Sequence, residues 1–291
     1  MIAAGIDISV GSVTALVCMV LANQMENHGT NAYVAVVMAL AIGIAFGLVQ
    51  GFLIAYLDIQ PFIVTLAGMF FGRGMTSIIS TEMISIKNKT FLAWANYKIY
   101  LPIGSYSKRG KFIPAYIYPT VVIAIIVLII IILVMKYTKF GRSVYAVGGN
   151  QTSAMMMGLN VKRTKLKAYL LDGFLAGLGG FLFCLNSCSG FVEQAKGLEM
   201  DAISSAVIGG TLLSGGVGTP FGTLFGVLIK GTISSLITTQ GTLSSWWVRI
   251  TLSALLCFFI VLQSIFAHVK KNNNIFFIIR TIVKLSFHNI T

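Results

Sequence analysis

Charged residues are scarce in this sequence, and carboxylates are the scarcest of them. The 291 residues include 8 Asp and Glu against 21 Lys and Arg, and charged residues make up 10% of the chain while hydrophobic residues make up 56%. Runs of about 20 apolar residues recur along the chain, which is the length that a helix needs to cross a bilayer. This composition excludes a soluble globular protein and predicts an all-α, polytopic bundle of transmembrane helices.

The sequence also lacks the motifs of common catalytic sites. It contains no Gly-x4-Gly-Lys-Ser/Thr nucleotide loop, no HExxH and no GxSxG. The apolar runs do not carry the series of acids that a proton-driven pump uses. We therefore predict that the chain is not an enzyme, that it uses no cofactor, and that the energy for transport comes from another subunit.

Neither a metal nor a nucleic acid is an expected ligand. The four cysteines lie within or at the ends of apolar runs, with no histidine or second cysteine pair nearby, which argues against a metal site. The net charge of +13 is spread over a central stretch, a stretch at residues 80–117 and the C-terminal tail. This distribution favours contact with anionic lipid headgroups over a nucleic-acid surface.

About eight apolar runs are predicted to cross the membrane, and together they make residues 1–267 one transmembrane domain. They cover residues 1–21, 33–56, 62–79, 120–135, 168–188, 201–218, 220–239 and 246–267. The run at 201–218 is too rich in glycine for an unbroken helix, yet we count it as a crossing, because a re-entrant segment would place Lys270 and Lys271 outside. Residues 268–291 are then a basic cytoplasmic tail, either an interfacial amphipathic helix or a disordered segment.

The central stretch at residues 136–167 fixes the orientation of the bundle. It carries seven Lys and Arg and no acid, and cations near the ends of spans are retained on the cytoplasmic side. Residues 80–117 hold nearly as many cations, but a single apolar run separates the two stretches, so they lie on opposite sides. We predict a cytoplasmic loop at 136–167 and a periplasmic loop at 80–117.

A short helix is predicted inside the basic loop. Asn150 is placed to cap a first turn at residues 151–154, Gly148 and Gly149 favour a sharp entry, and Gly158 favours a C-terminal stop. About two turns of helix are not stable alone in water, and the small and flexible side chains of Ala154 and Met155 to Met157 favour insertion into a groove of another protein. The alternative at this point is an ordinary solvated turn.

Two further features of the apolar runs generate expectations. Gly43, Gly47 and Gly51 recur every fourth residue, a pattern typical of close helix packing in lipid. Asp7 is placed to cap the start of the first helix. Arg73 falls within a predicted span, where a cation is costly, and we expect it to snorkel or to face a watery cavity.

Several motifs resemble those of a known family. They are GIDISVGS at residues 5–12, FGR and YAVGGN at 140–150, a DA…VIGGT pattern at 201–211 and LSGGVGT at 213–219. In this order they resemble the permease subunits of bacterial ABC importers for monosaccharides, of the ribose and xylose permease type. QPFIVTLAGMFF at 60–71 and GTLSSWW at 241–247 resemble the second permease of the galactofuranose importer.

This resemblance implies a set of partners. They are an ABC ATPase subunit, a second permease in a heterodimer, a periplasmic sugar-binding protein, a monosaccharide substrate and the bilayer of the inner membrane. The family has one more span before its Gly-Ile-Asp motif, so that span is expected to be missing here. The helix of the basic loop is implied to be the coupling helix that contacts the ATPase, and it falls on Gly149, Asn150, Gln151, Thr152, Ser153, Ala154, Met155, Met156, Met157 and Gly158.

A path for a neutral, polyhydroxylated sugar is expected to offer hydroxyls, amides, aromatic faces and backbone groups. The candidates on that ground are Asp7, Ser9, Ser12, Thr65, Phe71, Ser204, Thr211 and Ser214. Small polar residues in membranes also serve packing. Two other readings of the chain stay open, an ion-coupled secondary transporter and a degenerate or truncated permease that acts only as a membrane scaffold.

Overall fold

The structure is a computed structural model that describes residues 1–106, 112–239, 247–263 and 265. The predicted basic tail at 268–291 and most of the GTLSSWW motif at 241–247 lie outside these residues. The helices are α1 (Val10–Asn27), α2 (Ala32–Tyr56), α3 (Pro61–Ile79), α4 (Lys89–Asn96), α5 (Pro119–Tyr137), α6 (Lys139–Gly149), α7 (Gln151–Met156), α8 (Val161–Ser187), α9 (Leu198–Ile208), α10 (Pro220–Thr239) and α11 (Trp247–Gln263).

The strands are β1 (Ile84–Ser85), β2 (Ile99–Tyr106), β3 (Phe112–Ile117) and β4 (Ser189–Gly190), and they form two short antiparallel ribbons, β1 with β4 and β2 with β3. The ribbons lie in or beside the loop at 80–117, for which no strand was predicted. They leave the bundle helical, so the predicted fold class is confirmed.

Five of the described helices are long and apolar enough to cross a bilayer, namely α2, α3, α5, α8 and α10. They match five of the eight predicted spans closely. The first predicted span is helical only from Val10, since residues 1–9 contain no helix, and α11 covers the described part of the last one. We call the end of the bundle that carries α6 and α7 the basic end, and the end that carries α4 and the ribbons the opposite end.

The predicted span at 201–218 is not one continuous helix, as its glycine content predicts. Its helix is α9, which has 11 residues and a length of about 16 Å, about half of the hydrocarbon thickness. Glycines at 209, 210, 215, 216 and 218 follow, four of them with positive φ, and they turn the chain at the basic end. The segment at 191–197, which has no helix, together with α9 returns the chain from the opposite end to the basic end. The direction of the crossing is therefore as predicted, but its boundaries are not.

Helix α1 is the centre of the core. Twelve of its 18 residues are buried, and the main hydrophobic cluster joins Val13, Val17 and Leu21 to residues of α2, α4 and α8. At the opposite end Glu26 of α1 accepts hydrogen bonds from the backbone N–H groups of Lys87 and Asn88. These bonds attach the loop at 80–117 to the bundle.

The contact between α2 and α8 is made by glycines, as the spacing in α2 predicts. A Cβ atom on Gly43 would lie 2.8 Å from the Cα atom of Gly177, and one on Gly47 would lie 3.0 Å from the Cα atom of Gly173. Distances below 3 Å cannot be accommodated without movement of the backbone. The two helices therefore touch through main-chain atoms over about two turns.

The glycines of α8 give a matched pair of substitutions. We expect Gly173→Ala to destabilise the bundle by about 1–3 kcal/mol, because the new methyl group would lie 2.6 Å from the Cα atom of Gly47. Gly179→Ala is the control, since a Cβ atom there meets nothing within 4 Å. Thermal unfolding of both variants in detergent measures the difference, and equal melting temperatures would contradict the close contact.

Candidate functional site

The first structural feature of interest is the non-helical segment at residues 1–9, which we call the break before α1. Asp7 accepts hydrogen bonds from the backbone N–H of Ser9, at 2.6 Å, and from its hydroxyl, at 2.7 Å. The amide Nε2 of Gln50 on α2 donates to the same hydroxyl at 2.9 Å. Asp7 thus bonds to Ser9, the residue before the helix, and not to the N–H groups of the first turn of α1, so its predicted capping role is corrected.

Two more hydroxyls form hydrogen bonds to the backbone at this break. Ser12 donates to the carbonyl of Ser9 at 2.7 Å, and Thr65 of α3 donates to the carbonyl of Ile6 at 3.2 Å. Ser9, Ser12 and Thr65 are almost completely buried. In this conformation their hydroxyls hold the non-helical backbone, and whether they also contact a substrate stays a prediction.

A second break lies at residues 191–197, before α9, and Arg73 of α3 holds it. The guanidinium donates to the carbonyl oxygens of Val192, at 3.0 Å, and Gln194, at 2.6 Å. These carbonyl partners were not predicted, and whether Arg73 also snorkels or borders water stays a prediction. The cation is stabilised by carbonyl groups that leave regular structure inside the bundle.

The two breaks meet. The side chain of Glu199, in the first turn of α9, lies against Gly11 of α1, and its Oε2 atom is buried without a hydrogen-bond partner among the described residues. The carbonyl of Ala195 also faces Gly11, at 2.9 Å from where a Cβ atom would lie. The helices α1 and α9 consequently begin next to each other and run toward opposite ends of the bundle.

Helix α9 packs antiparallel to α10. Gly226 lies against the backbone of Ser205, and Gly222 lies against Gly209. One turn of helix further along, Lys230 of α10 forms an ion pair with Asp201 of α9, at 2.8 Å between Nζ and Oδ1. The α9–α10 hairpin is thus held by glycine contacts at the basic end and by an ion pair near the start of α9.

The other predicted path residues are not part of the break before α1. Phe71 is exposed on α3 beside Phe46, and Ser204 is buried on α9, where it donates to the carbonyl of Met200. Thr211 is buried in the turn after α9, and Ser214 is exposed in the same turn. The structure therefore brings together Asp7, Ser9, Ser12 and Thr65 and leaves the remaining four elsewhere.

The basic loop is the second candidate site, and it is built from capped short helices. Thr138 accepts a hydrogen bond from the N–H of Gly141 at the start of α6, Asn150 from Ser153 at the start of α7, and Asn160 from Arg163 at the start of α8. The predicted cap at Asn150 is confirmed. Gly158 follows α7 with a φ of 80°, which is the predicted C-terminal stop.

The surroundings of α7 differ from the prediction in two respects. Gly148 and Gly149 end the helix α6, which was not predicted, and do not form a free turn. Ala154 is fully buried in a small cluster with Val147 and Val161, so it anchors α7 to its own chain and is not available to another protein. The exposed residues of the predicted coupling segment are Gly149, Asn150, Gln151, Thr152, Ser153, Met155, Met156, Met157 and Gly158.

The basic loop contacts the α9–α10 hairpin directly. The phenol of Tyr145 on α6 donates to the carbonyl of Gly218 at 2.7 Å. A Cβ atom on Gly148 would lie 2.8 Å from the nitrogen of Gly216, whose N–H donates to the carbonyl of Ile2. Helix α6 therefore contacts the turn between α9 and α10 through main-chain atoms at Gly148.

Sequence reasoning missed Gln50, Asp201 and Glu199 as members of these sites. Gln50 is the single amide in the apolar sequence of α2, and a buried amide in a membrane helix requires a hydrogen-bond partner. That signal could have identified it. The contacts of Arg73 could not be found in this way, because its carbonyl partners lie 119 and 121 residues away in the chain.

Comparison with known proteins places the chain in a family. The family model described as "Branched-chain amino acid transport system / permease component" matches residues 1–260. The chain belongs to this permease family. It is accordingly a multi-pass protein of the inner membrane, and the resemblance of its motifs to those of sugar ABC permeases is confirmed at the level of the family.

Several relatives of this permease have curated names. It is 44% identical over 260 residues to "Inner membrane ABC transporter permease protein YjfF" of Escherichia coli (strain K12), covering 89% of this chain and 75% of the relative. It is 34% identical to "Fructose import permease protein FruG" of Bifidobacterium longum (strain NCC 2705), with 89% and 74% covered. "Ribose import permease protein RbsC" of Escherichia coli (strain K12) is 36% identical, with 82% and 71% covered. No solved structure gives a significant match.

The bond between Tyr145 and Gly218 gives a prediction. Tyr145→Phe removes one hydrogen bond, worth about 0.5–1.5 kcal/mol, and we expect the bundle to be destabilised by about that amount. Thermal unfolding of the variant and of the unaltered chain in detergent measures the difference.

The same bond is expected to be insensitive to pH. Burial raises the pKa of Tyr145 above its ordinary value of about 10. The phenol therefore stays protonated, and can donate this hydrogen bond, at every pH below about 10. The loss of stability that Tyr145→Phe causes is therefore expected to be the same at pH 6 and pH 9. A difference that vanishes at pH 9 would contradict this reading.

Proposed function

We propose that this chain is the membrane-spanning subunit of an ATP-driven importer that carries a monosaccharide across the inner membrane. The sugar assigned by the motifs at 60–71 and 241–247 is galactofuranose or a similar hexose. ATP hydrolysis takes place on a separate ABC ATPase subunit. A second permease completes a heterodimer, and a periplasmic sugar-binding protein delivers the sugar.

The observation that carries this proposal is the exposed surface of α7. Met156 is 84% exposed, Met155 62% and Met157 69%, while Ala154 beneath them is buried. Three adjacent methionines on an anchored helix form a surface that is apolar, adaptable and costly to leave in water. A groove on an ATPase subunit would cover it, with residues Gly149 to Gly158 as the coupling segment.

The charges around α7 support the orientation that this function requires. Lys139 and Arg142 on α6 and the four cations at the start of α8 flank this helix in the sequence, with no carboxylate between residues 136 and 167. On the proposed topology this loop is cytoplasmic, where the ATPase is found, and the loop at 80–117 is periplasmic. The tail at 268–291 is cytoplasmic on the same scheme.

The mechanism follows from the contacts of the basic end. When ATP binding closes the paired ATPases, α7 moves with them. Helix α6 passes this movement to the turn between α9 and α10 through Gly148 and Tyr145. The α9–α10 hairpin then moves relative to α1. Because the two breaks in the chain meet at the start of α1 and α9, this movement changes the opening of the bundle at about mid-depth.

The names of the relatives support the class of substrate. Two of them are named as permeases for fructose and for ribose, which are neutral sugars with many hydroxyls. The hydroxyl, amide and carboxylate groups at the break before α1 can exchange hydrogen bonds with such a substrate. Asp7, which is half-buried, is the member of this group with the most accessible polar atoms.

The proposal is tested at Met156. We expect Met156→Glu to reduce co-purification of the ATPase subunit and coupled ATP hydrolysis by tenfold or more, because a carboxylate would be buried in an apolar groove. Met83→Glu is the matched control, since Met83 is 61% exposed at the opposite end. The complex that carries Met83→Glu is expected to bind the ATPase subunit and to hydrolyse ATP as the unaltered complex does.

The alternatives make different predictions for the same variant. An ion-coupled secondary transporter would keep sugar uptake in Met156→Glu and in the absence of any ATPase. A membrane scaffold would show no sugar uptake in the unaltered complex. Either result would overturn the proposed function. Ala154 is not a useful position for this test, because an acid there would disrupt the anchor of α7 itself.

A further inference from the structure

The ion pair between Asp201 and Lys230 lies near the middle of the membrane. Lys230 is the eleventh of the 20 residues of α10, so it is about 15 Å along a helix whose length matches a hydrocarbon core of about 30 Å. Asp201 lies opposite it on α9. The side chain of Lys230 is 18% exposed and that of Asp201 is 46% exposed. Nearly half of a carboxylate at this depth is therefore open to whatever surrounds the chain.

Lipid is a costly environment for this pair. Most exposed large apolar residues of α10 share one face of the helix, namely Phe221, Phe225, Leu228, Ile229 and Leu236, whereas Val227 lies about 60° around the helix from Lys230. Lys230 lies on the opposite face, in a stripe with Thr223, Gly226 and Ser234 at helical spacing. Charged groups in contact with acyl chains are costly. The open side of Asp201 consequently faces either water or another protein.

The position of α9 favours water. Helix α9 begins at mid-depth, and Asp201 lies in its first turn, beside Glu199, which touches α1. Helices that begin inside the membrane border the substrate site in transporters. An ammonium group next to a carboxylate provides donors and acceptors side by side, which matches the neighbouring hydroxyls of a sugar.

We propose that Asp201 and Lys230 border the sugar path and bind the hydroxyl groups of the passing monosaccharide. The inference rests on the proposed function and adds two residues to it. Asp201 accepts hydrogen bonds from the sugar hydroxyls, and Lys230 orients the carboxylate through the ion pair.

The first experiment measures whether Asp201 faces water, and it does not depend on the identity of the sugar. In a background with Cys18, Cys184, Cys188 and Cys257 replaced by alanine, Asp201→Cys is assembled with its partners in proteoliposomes and treated with the charged reagent 2-sulfonatoethyl methanethiosulfonate. Leu228→Cys, on the lipid face and 54% exposed, is the control. We expect the thiol at 201 to react at least tenfold faster than the thiol at 228.

The second measurement adds the substrate. The monosaccharide is the one that the unaltered complex takes up from a panel of D-galactose, D-ribose and D-fructose, and we expect it to slow the reaction at position 201 by threefold or more. Equal reaction rates at 201 and 228, or no protection by a sugar that is transported, would overturn the inference. If the panel gives no uptake, the proposed function fails for these sugars, and the comparison of 201 with 228 still decides the exposure to water.

The third experiment separates binding from a merely structural ion pair. We expect Asp201→Asn to raise KM for uptake at least tenfold, and Asp58→Asn, in an exposed turn where φ is 51°, to leave KM unchanged. The double variant Asp201→Lys with Lys230→Asp restores an ion pair with its charges exchanged. If the pair only aligns α9 with α10, this exchange restores uptake and the inference is wrong. If Asp201 binds the sugar, uptake stays low while the melting temperature recovers.

Discussion

Backbone groups that leave a helix inside a membrane have no water to bind, and this constraint explains the arrangement of polar residues in the bundle. In the part of the bundle that the structure describes, non-helical backbone precedes α1 and precedes α9. Serine, threonine and glutamine side chains hold the first break, and the guanidinium of Arg73 holds the second. Each hydrogen bond replaces one that water would make at a surface. The residues that were candidates for a substrate site therefore also stabilise the non-helical backbone.

The same constraint explains why the two breaks are adjacent. Irregular backbone is tolerated at membrane depth where it is enclosed by protein or borders a cavity. Because the two breaks lie against each other, the same neighbouring helices enclose both of them. Gly11 permits this contact, because any side chain there would collide with Glu199. The result is a pair of helices that start next to each other and run toward opposite ends of the bundle.

The parts that the sequence predicted depend on local rules. The cap at Asn150, the stop at Gly158 and the glycine spacing of α2 are each determined by a few neighbouring residues, and the structure confirms them. The parts that were wrong depend on distant contacts. Gly148 was read as part of a turn, yet it ends a helix and is small because Gly216 packs against it.

Other errors had the same origin. The glycine-rich sequence at 209–218 indicated a broken helix, but nothing local showed that the crossing begins earlier, at 191–197. That segment is held by Arg73, more than a hundred residues away in the chain. The role of the candidate residues in transport was inferred from the type of side chain, and the structure shows only which of them are near each other.

The glycine contact between α2 and α8 has a consequence for biogenesis. About 130 residues separate the two glycine faces in the chain, and synthesis at about 5–20 residues per second leaves roughly 6–26 s between their emergence from the ribosome. During that interval the groove on α2 has no partner from its own chain and can be filled only by lipid or by an insertion factor. Assembly of the bundle thus waits for its second half to be translated.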